Sequence, residues 1–332
     1  MDEKEMSMRE ALNLALDQAL EADDRVFLLG EDIADPGASG PTAGLSTKYG
    51  HDRVLDTPIS EAAIMGAAVG AAIDGLIPVA EIMIMDFIGI AADQLINNAA
   101  KLRFMTAGRT SAPLTVRTAV YGGIATGATH SQSLEAWFMH IPGMKVIVPS
   151  TPRDGKGLLT SAIFDPDPCL FVETIRLQAK KGPVPTDPGF AIPLGLADVK
   201  RPGSDVSIIA YGRSVHDALA AATTLQEQGV SAEVVDLRTL LPLDVNTMVE
   251  SVRRTRRAVV VHDAVQFAGP GAEIVATLQA EAFGDLVAPI ERVGGRFVPA
   301  PAAAALEAQI YPSPARIVTA VQKTLKEASV RG

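Results

Sequence analysis

A carboxylate at the start of an apolar helix is the first group in this sequence whose position suggests chemistry. Glu61 lies in the segment 56–70, which reads DTPISEAAIMGAAVG. Pro58 and Ser60 favour a helix start there, and the dipole of that helix would stabilise a negative charge on Glu61 in its first turn. No charged residue occurs over 62–73, which predicts a helix that is buried on all sides. Glu61 is therefore either a helix-start charge or a functional carboxylate.

Three further side chains occupy positions where chemistry is possible. His130 lies in the glycine-rich loop 121–133, YGGIATGATHSQS, and a loop histidine can move protons near neutral pH. Glu31 directly follows a predicted strand, at the end where ligands bind in open α/β sheets. Phe87 stands at a predicted strand-to-helix junction. Taken singly, each has an ordinary alternative: a surface histidine, a solvated loop carboxylate and a core aromatic ring.

The elements that must position these groups alternate between strand and helix. Short apolar runs predict strands over 26–30, 77–82, 113–118, 145–149 and 169–173. With helical segments between them, this alternation is typical of a parallel sheet with helices on both faces. A stretch rich in Pro, Gly and Lys follows, and a second alternation starts near residue 203. We predict an α/β chain with two parallel-sheet domains, 1–185 and 203–332, joined by a linker over 186–202.

Composition excludes several classes of protein. The 332 residues carry a net charge of -10, which disfavours nucleic acid or an anionic membrane surface as a partner. Cys169 is the one cysteine, so a disulfide framework is excluded. The N-terminus is charged and lacks the apolar core of a signal peptide, and charged and proline residues interrupt the most apolar region, 62–92. We therefore expect a cytoplasmic protein without a membrane span.

Four motifs occur in an order and at a spacing that point to one family. They are TPISEAAIMGAAVGAA, DQLINNAAKLRFM, THSQSLEAWF and VPSTPRDGKGLL. Over residues 7–325 the sequence strongly resembles the beta subunit of the thiamine-diphosphate-dependent dehydrogenase component of 2-oxo acid (pyruvate, branched-chain) and acetoin dehydrogenase complexes. The resemblance implies a pyrimidine-binding thiamine-diphosphate fold followed by a transketolase C-terminal-like domain.

The resemblance also implies roles for the residues singled out above. Glu61 matches the glutamate that hydrogen-bonds the pyrimidine ring of thiamine diphosphate and activates it, and Phe87 matches the aromatic residue that stacks on that ring. His130 matches the histidine that handles protons on the substrate and during transfer to the lipoyl group. Glu31 matches an acidic residue suggested to relay protons between two active sites. A monovalent-cation site for K+, built mainly from backbone carbonyls, maps to Leu114, Ala162, Ile163, Asp165 and Asp167, the last standing where asparagine is common.

A missing motif indicates that the site is shared with another chain. Family members that hold the diphosphate and its Mg2+ use a Gly-Asp-Gly stretch followed by an asparagine, and this sequence has no such stretch. The resemblance therefore implies an alpha subunit in an α2β2 heterotetramer, with Gly66 and Gly70 marking a helix that could pack closely at an interface. The C-terminal domain is implied to dock a lipoyl acyltransferase core. His262-Asp263 and the segment 297–301 depart from the family's usual sequence in that domain.

Three functions stay open on the sequence alone. The first is the dehydrogenase subunit, which decarboxylates a small 2-oxo acid or cleaves acetoin and passes the acyl group to lipoamide; Val120-Tyr121 and the segment 83–87 favour a pyruvate- or acetoin-type substrate. The second is half of a split transketolase or sugar-phosphate synthase, which transfers a ketol unit without lipoamide. The third is a non-catalytic assembly subunit, and the joint presence of Glu61, Phe87 and His130 argues against it.

Overall fold

The chain folds into two compact units. The structure, a computed structural model, describes residues 2–34 and 40–331, with side chains up to residue 326. The first unit comprises Met1–Gly122 and His130–Leu194, and the second comprises Gly123–Thr129 and Gly195–Gly332. The short segment 123–129 thus groups with the second unit, within a stretch that we predicted as one continuous domain. The limits given above for the domains and the linker stay a prediction.

Strands and helices alternate in the first unit. Its strands are β1 (Glu3–Ser7), β2 (Val26–Gly30), β3 (Val54–Asp56), β4 (Ile77–Ile84), β5 (Thr115–Val120), β6 (Lys145–Ile147), β7 (Cys169–Thr174) and β8 (Lys181–Pro185). Its helices are α1 (Met8–Ala22), α2 (Leu45–Tyr49), α3 (Glu61–Ile73), α4 (Ile88–Asp93), α5 (Ala100–Met105), α6 (Glu135–Met139) and α7 (Pro152–Ile163). A π-helical turn, Gln94–Ala99, joins α4 to α5.

Six parallel strands of the first unit lie side by side in the order β6-β7-β5-β4-β2-β3. Helices α1 and α7 share a buried core with alternate strand residues such as Val26 and Leu28, while α3 packs against β2 and β4. The predicted parallel sheet is confirmed, with one addition: β1 and β8 form a separate antiparallel ribbon. Because the six strands run in one direction, their carboxyl ends gather the residues that follow β2, β4, β5 and β7.

The second unit repeats this architecture around a smaller sheet. Its strands are β9 (Asp198–Arg201), β10 (Val206–Ala210), β11 (Ala232–Asp236), β12 (Thr239–Leu241), β13 (Ala258–Val265) and β14 (Glu291–Gly295). Its helices are α8 (Ser214–Glu227), α9 (Val245–Thr255), α10 (Pro270–Ala282), α11 (Ala304–Glu307) and α12 (Pro314–Arg331). The sheet order is β14-β13-β10-β11-β9, parallel except for the edge strand β9. Among residues 2–34 and 40–331, no helix is both long and apolar enough to cross a bilayer.

Helix α3 differs from the prediction that it is buried on all sides. Its exposed face consists of Ala62, Ala63, Ala67, Gly70 and Ile73. A Cβ atom built on Gly66 would lie 3.9 Å from the Gln94 side chain, whereas one on Gly70 would meet nothing within 4 Å. The predicted cap is also wrong, since the Ser60 side chain makes no capping hydrogen bond. The outer face of α3 is uncharged, yet the described residues leave it uncovered.

A fully buried histidine lies in the second unit. The Nδ1 of His262 is 2.9 Å from the carbonyl oxygen of Ala264 and must donate to it, which leaves Nε2 as an acceptor without a hydrogen-bond partner among the described residues. Glycines surround the ring closely, and a Cβ atom on Gly271 would lie 2.6 Å from Nε2. Burial lowers the pKa of His262 to about 4. The structure places this histidine in the packed interior and not at a reactive surface.

His262 makes the stability of the chain depend on pH. Because the folded state disfavours the charged imidazole, the free energy of unfolding is highest above the ordinary histidine pKa. It falls as the pH drops from about 6.5 to about 4, by roughly 3 kcal/mol. Urea unfolding of the wild type and of His262→Gln across this range measures the effect. We expect a flatter pH dependence in the variant, and equal slopes for the two proteins would contradict the assignment.

Candidate functional site

Glu61 and Glu31 lie close enough to influence each other at the carboxyl end of the first sheet. Glu61 begins α3 and is 9% exposed. Glu31 follows β2, and burial together with the charges of Asp32 and Glu61 raises its pKa. A carboxyl group with a raised pKa beside a second carboxylate is a candidate for proton exchange. The structure therefore brings two of the predicted site residues into electrostatic contact.

The turn before Glu61 is fixed by hydrogen bonds to the end of β2. The carboxylate of Asp56 accepts a hydrogen bond of 2.7 Å from the backbone N–H of Ala34. The N–H of Thr57 donates to the carbonyl oxygen of Gly30 at 2.9 Å. These bonds join the DTPISE segment to the end of β2 and to the residues that follow it, Glu31 among them. The sequence order Asp-Thr-Pro thus serves to place the first turn of α3 beside the neighbouring strand.

Phe87 and His130 form a second pair in the first unit. Their ring centroids are 5.4 Å apart and the planes meet at 79°, an edge-to-face contact. Asp86 holds the His130 loop in place, because its carboxylate accepts hydrogen bonds from the backbone N–H of Gln132 at 3.2 Å and from the Gln132 side chain at 2.8 Å. Both rings are half-buried. Helix α4, which begins directly after Phe87, packs against α3, the helix that Glu61 begins.

A cluster of buried charges that the sequence analysis did not single out lies at the same end of the sheet. Arg117 of β5 is 2% exposed; it donates to Glu81 of β4 at 2.7 Å and to Glu173 of β7 at 2.8 Å. Gln178 donates to the second oxygen of Glu173 at 2.6 Å. The sequence contains a signal for this cluster, because Glu81, Arg117 and Glu173 lie inside otherwise apolar parallel strands. Charged residues at such positions must be paired with one another.

This cluster lines a polar cavity of about 470 Å³ that also includes Glu31. Burial alone would lower the pKa of Arg117, but the charges of Glu173 and Glu81 raise it, so the guanidinium stays protonated. Burial raises the pKa of Glu173 despite its contact with Arg117. Burial and the nearby carboxylates also raise the pKa of the Tyr121 hydroxyl. The cavity thus combines a charged guanidinium with acidic groups whose pKa is raised by burial.

The predicted cation site lies at the opposite, amino end of β5 and β7. The carbonyl of Leu114 accepts from Cys169 N–H at 2.8 Å, and the carbonyl of Ala162 accepts from Asp165 N–H at 3.2 Å. The Ala162 carbonyl oxygen also accepts from the N–H of Phe164, and Ile163 ends α7 beside Ala162. The cation site at these residues stays a prediction.

The carboxylates of the predicted cation site already have partners within the chain. The Lys145 ammonium contacts both oxygens of Asp165 at 2.5 Å, and the Arg103 guanidinium contacts Asp167 at 2.6 Å. Within the described ranges 2–34 and 40–331, no three His, Cys, Asp or Glu side chains form a group that could hold a metal ion. Both carboxylates are thus engaged in ion pairs within the chain.

Two family models match consecutive parts of the chain. The transketolase pyrimidine-binding domain matches residues 4–179, and the transketolase C-terminal domain matches residues 195–317. Among solved structures, a split-gene transketolase described as an inactive beta4 tetramer aligns with a TM-score of 0.80 and 25% identity, covering 97% of this chain and 99% of that one. The predicted order of the two domains is confirmed.

Relatives of known name match over nearly the full length. The beta subunit of acetoin:2,6-dichlorophenolindophenol oxidoreductase from Cupriavidus necator is 46% identical, covering 97% of this chain and 98% of the relative. The mitochondrial pyruvate dehydrogenase E1 component subunit beta-2 of Oryza sativa subsp. japonica is 46% identical, with 96% and 86% covered. The 2-oxoisovalerate dehydrogenase subunit beta of Bacillus subtilis is 42% identical, with 96% and 98% covered. The chain therefore belongs to the family of beta subunits of pyruvate, acetoin and branched-chain 2-oxo acid dehydrogenase E1 components, as the sequence motifs predicted.

Proposed function

We propose that this chain is the beta subunit of a thiamine-diphosphate-dependent dehydrogenase component and that it provides the pyrimidine half of a site shared with an alpha subunit. With that partner it decarboxylates a small 2-oxo acid of the pyruvate type, or cleaves acetoin, and transfers the acyl group to the lipoamide of an acyltransferase core. The observation that carries the proposal is the buried Glu61 at the start of α3, within the part of the chain that matches the pyrimidine-binding domain.

Four side chains have roles in this proposal. Thiamine diphosphate, when bound, would supply the nucleophilic carbon of the reaction. The Glu61 carboxylate would hold a proton at the pyrimidine ring of the cofactor, and Phe87 would bind that ring by stacking. The His130 imidazole, oriented by its contact with Phe87, gives a proton to the substrate or accepts one from it. Burial and the charges of Asp32 and Glu61 raise the pKa of Glu31. Glu31 exchanges protons with other groups that line the polar cavity.

The remaining parts of the complex are assigned to other surfaces and chains. The alpha subunit holds the diphosphate and Mg2+, and two alpha and two beta subunits form the heterotetramer. The exposed apolar face of α3 is suited to an interface because it carries no charge and offers no side chain at Gly70. A K+ ion would be held mainly by backbone carbonyls among Leu114, Ala162, Ile163, Asp165 and Asp167. The second unit docks the lipoyl acyltransferase core.

A split transketolase is the second candidate, since the fold agrees with that protein at a TM-score of 0.80. The dehydrogenase beta subunits are favoured because they share 42–46% identity with this chain, against 25% for the transketolase. Two assays of the reconstituted alpha–beta complex separate the candidates. Lipoamide-dependent acyl transfer from pyruvate or acetoin supports the first, and ketol transfer between sugar phosphates without lipoamide supports the second.

Replacing Glu61 with glutamine tests the central role. Glutamine keeps the shape of the side chain but cannot exchange a proton with the pyrimidine, so we expect kcat for lipoamide-dependent acyl transfer to fall at least about 100-fold. Glu21→Gln is a matched control, because Glu21 also lies in a helix and its side chain is 72% exposed. Size-exclusion chromatography establishes that both variants assemble with the alpha subunit. An assembled Glu61→Gln complex with more than half of the control activity would exclude the proposed role.

Cofactor binding tests whether the site is shared. We expect this chain alone to bind thiamine diphosphate at least about 100-fold more weakly than the alpha–beta complex does, a difference of about 2.7 kcal/mol, because it lacks the diphosphate half. Calorimetric titration with Mg2+ present measures both dissociation constants. If the isolated chain binds as tightly as the complex, the diphosphate half must lie within this chain and the proposal of a shared site is wrong.

A further inference from the structure

Two exposed aromatic rings meet on the surface of the second unit. The Phe267 and Phe297 rings are 69% and 71% exposed, and their centroids lie 5.1 Å apart. Phe267 follows β13, Phe297 follows β14, and the next residue, Val298, is also exposed. An exposed apolar surface of this kind is typical of a site where another molecule binds, and aromatic residues are enriched at the centres of protein interfaces.

The two strand ends that carry these rings are fixed to each other. The N–H of Gln266 donates to the carbonyl oxygen of Gly295 at 2.8 Å, and the N–H of Gly294 donates to the side-chain oxygen of Gln266 at 3.2 Å. A Cβ atom on Gly294 would lie 2.8 Å from the Cα of Gln266, so a larger residue at position 294 would clash with that backbone. The residues just before both phenylalanines are therefore held together, and the fold keeps the two rings side by side.

Three arginines lie next to the aromatic pair. Arg296 directly precedes Phe297 and is exposed. Arg292 of β14 and Arg316 of α12 are half-buried, and both line a pocket of about 290 Å³ together with Lys323. Burial and the charge of Arg296 lower the pKa of the Arg316 guanidinium. A cluster of positive charge thus adjoins the apolar rings.

The hydrogen-bond acceptors around these arginines are neutral. The two shortest hydrogen bonds from Arg316 reach backbone carbonyl oxygens at 2.8 and 2.9 Å, and Arg292 donates to another at 3.2 Å. Glu291 also lines the pocket, but its carboxylate is paired with Lys323 at 2.6 Å. Among the described side chains, no carboxylate contacts Arg292, Arg296 or Arg316. Clustered guanidinium groups without a counter-charge repel one another, and a bound anionic group would relieve that repulsion.

The Arg–Phe patch comprises Phe267, Phe297, Arg292, Arg296 and Arg316. We propose that the Arg–Phe patch binds an acidic peptide segment of a partner protein. Carboxylates of the segment pair with the guanidinium groups, each of which can bind a carboxylate through two parallel hydrogen bonds. An apolar side chain of the segment packs on the two rings. The inference rests on the docking role proposed for the second unit and adds the surface and the chemistry of the partner.

Charge favours a short acidic segment over a nucleic acid at this patch. The chain carries a net charge of -10, so a long polyanion is repelled by most of the molecule. A short segment meets mainly the local positive charge of the three arginines. Complementary charge of this kind selects the partner and speeds the encounter.

Peptide binding to the alpha–beta complex tests the proposal by fluorescence anisotropy. The probe is a labelled peptide of glutamate residues around a central Phe-Leu pair. One control peptide carries lysine in place of glutamate, and another carries glycine in place of the Phe-Leu pair. We expect the probe to bind at least about 10-fold more tightly than either control. Equal binding of the three peptides, or equally tight binding of a single-stranded oligonucleotide of the same charge, would overturn the inference.

Two exposed positions of the patch can be changed without disturbing the core. We expect Arg296→Gln and Phe297→Ala each to weaken binding of the probe at least about 5-fold, because each removes a group that contacts the segment. Arg253→Gln and Phe283→Ala are matched controls, since these residues are exposed in the same unit, and they should leave binding unchanged. Patch variants that bind like the wild type, or control variants that lose binding equally, would show that the patch is not the site.

Activity and assembly separate this inference from the proposed function. Acyl transfer to free lipoamide requires no docking, so we expect Arg296→Gln and Phe297→Ala to keep the wild-type rate in that assay. A wild-type complex that binds the probe but transfers no acyl group supports the docking surface and contradicts the proposed catalysis. If the isolated chain binds the probe and the alpha–beta complex does not, another subunit covers the patch and the inference is wrong.

Discussion

Arg117 lies between the carboxylates of Glu81 and Glu173, and the arrangement of the first sheet depends on this contact. Removing three charges from water costs several kcal/mol for each ion, and only close, well-directed hydrogen bonds offset that cost. The three residues come from adjacent strands, so β4, β5 and β7 must keep their register for the bonds to form. The same guanidinium sets the electrostatics of the cavity that Glu31 borders. The buried guanidinium of Arg117 therefore contributes both to the packing of the strands and to the electrostatics of the site.

The outer face of α3 explains why the site and a subunit interface belong together. Glu61 begins this helix, and its exposed face carries alanine, glycine and isoleucine where a solvated helix would carry charges. Ile59, just before the helix, is 74% exposed. A contiguous apolar surface of this kind is typical of a site where another surface binds. A partner that covers α3 would also close the mouth of the site beside Glu61, which fits the proposal that a second chain completes it.

Local sequence patterns predicted the parallel strands, because such strands form continuous apolar runs, and the contiguous motifs predicted the order of the two domains. The roles of the candidate residues stay predictions. Contacts set by the tertiary fold were beyond such patterns. The Arg117 cluster depends on the register of three strands. Glu307 accepts hydrogen bonds from Gly123 and Ala125, which are separated from it by 184 and 182 positions in the sequence. The prediction that α3 is buried on all sides is wrong. A lack of charged residues shows that a helix face is apolar, but it does not show whether the same chain or another one covers that face.

The buried polar groups also bear on the choice between a catalytic and a purely structural chain. A fold stabilised only for assembly gains nothing from a charged cavity, since apolar residues of similar volume would pack there at no desolvation cost. Here Glu81, Arg117 and Glu173 fill the carboxyl end of the sheet. Glu31 has a raised pKa beside Glu61, and the His130 ring packs edge-to-face on the Phe87 ring. Buried polar and charged groups of this kind cost free energy of desolvation and are typical of sites that handle protons. Together they favour a catalytic subunit over a non-catalytic one.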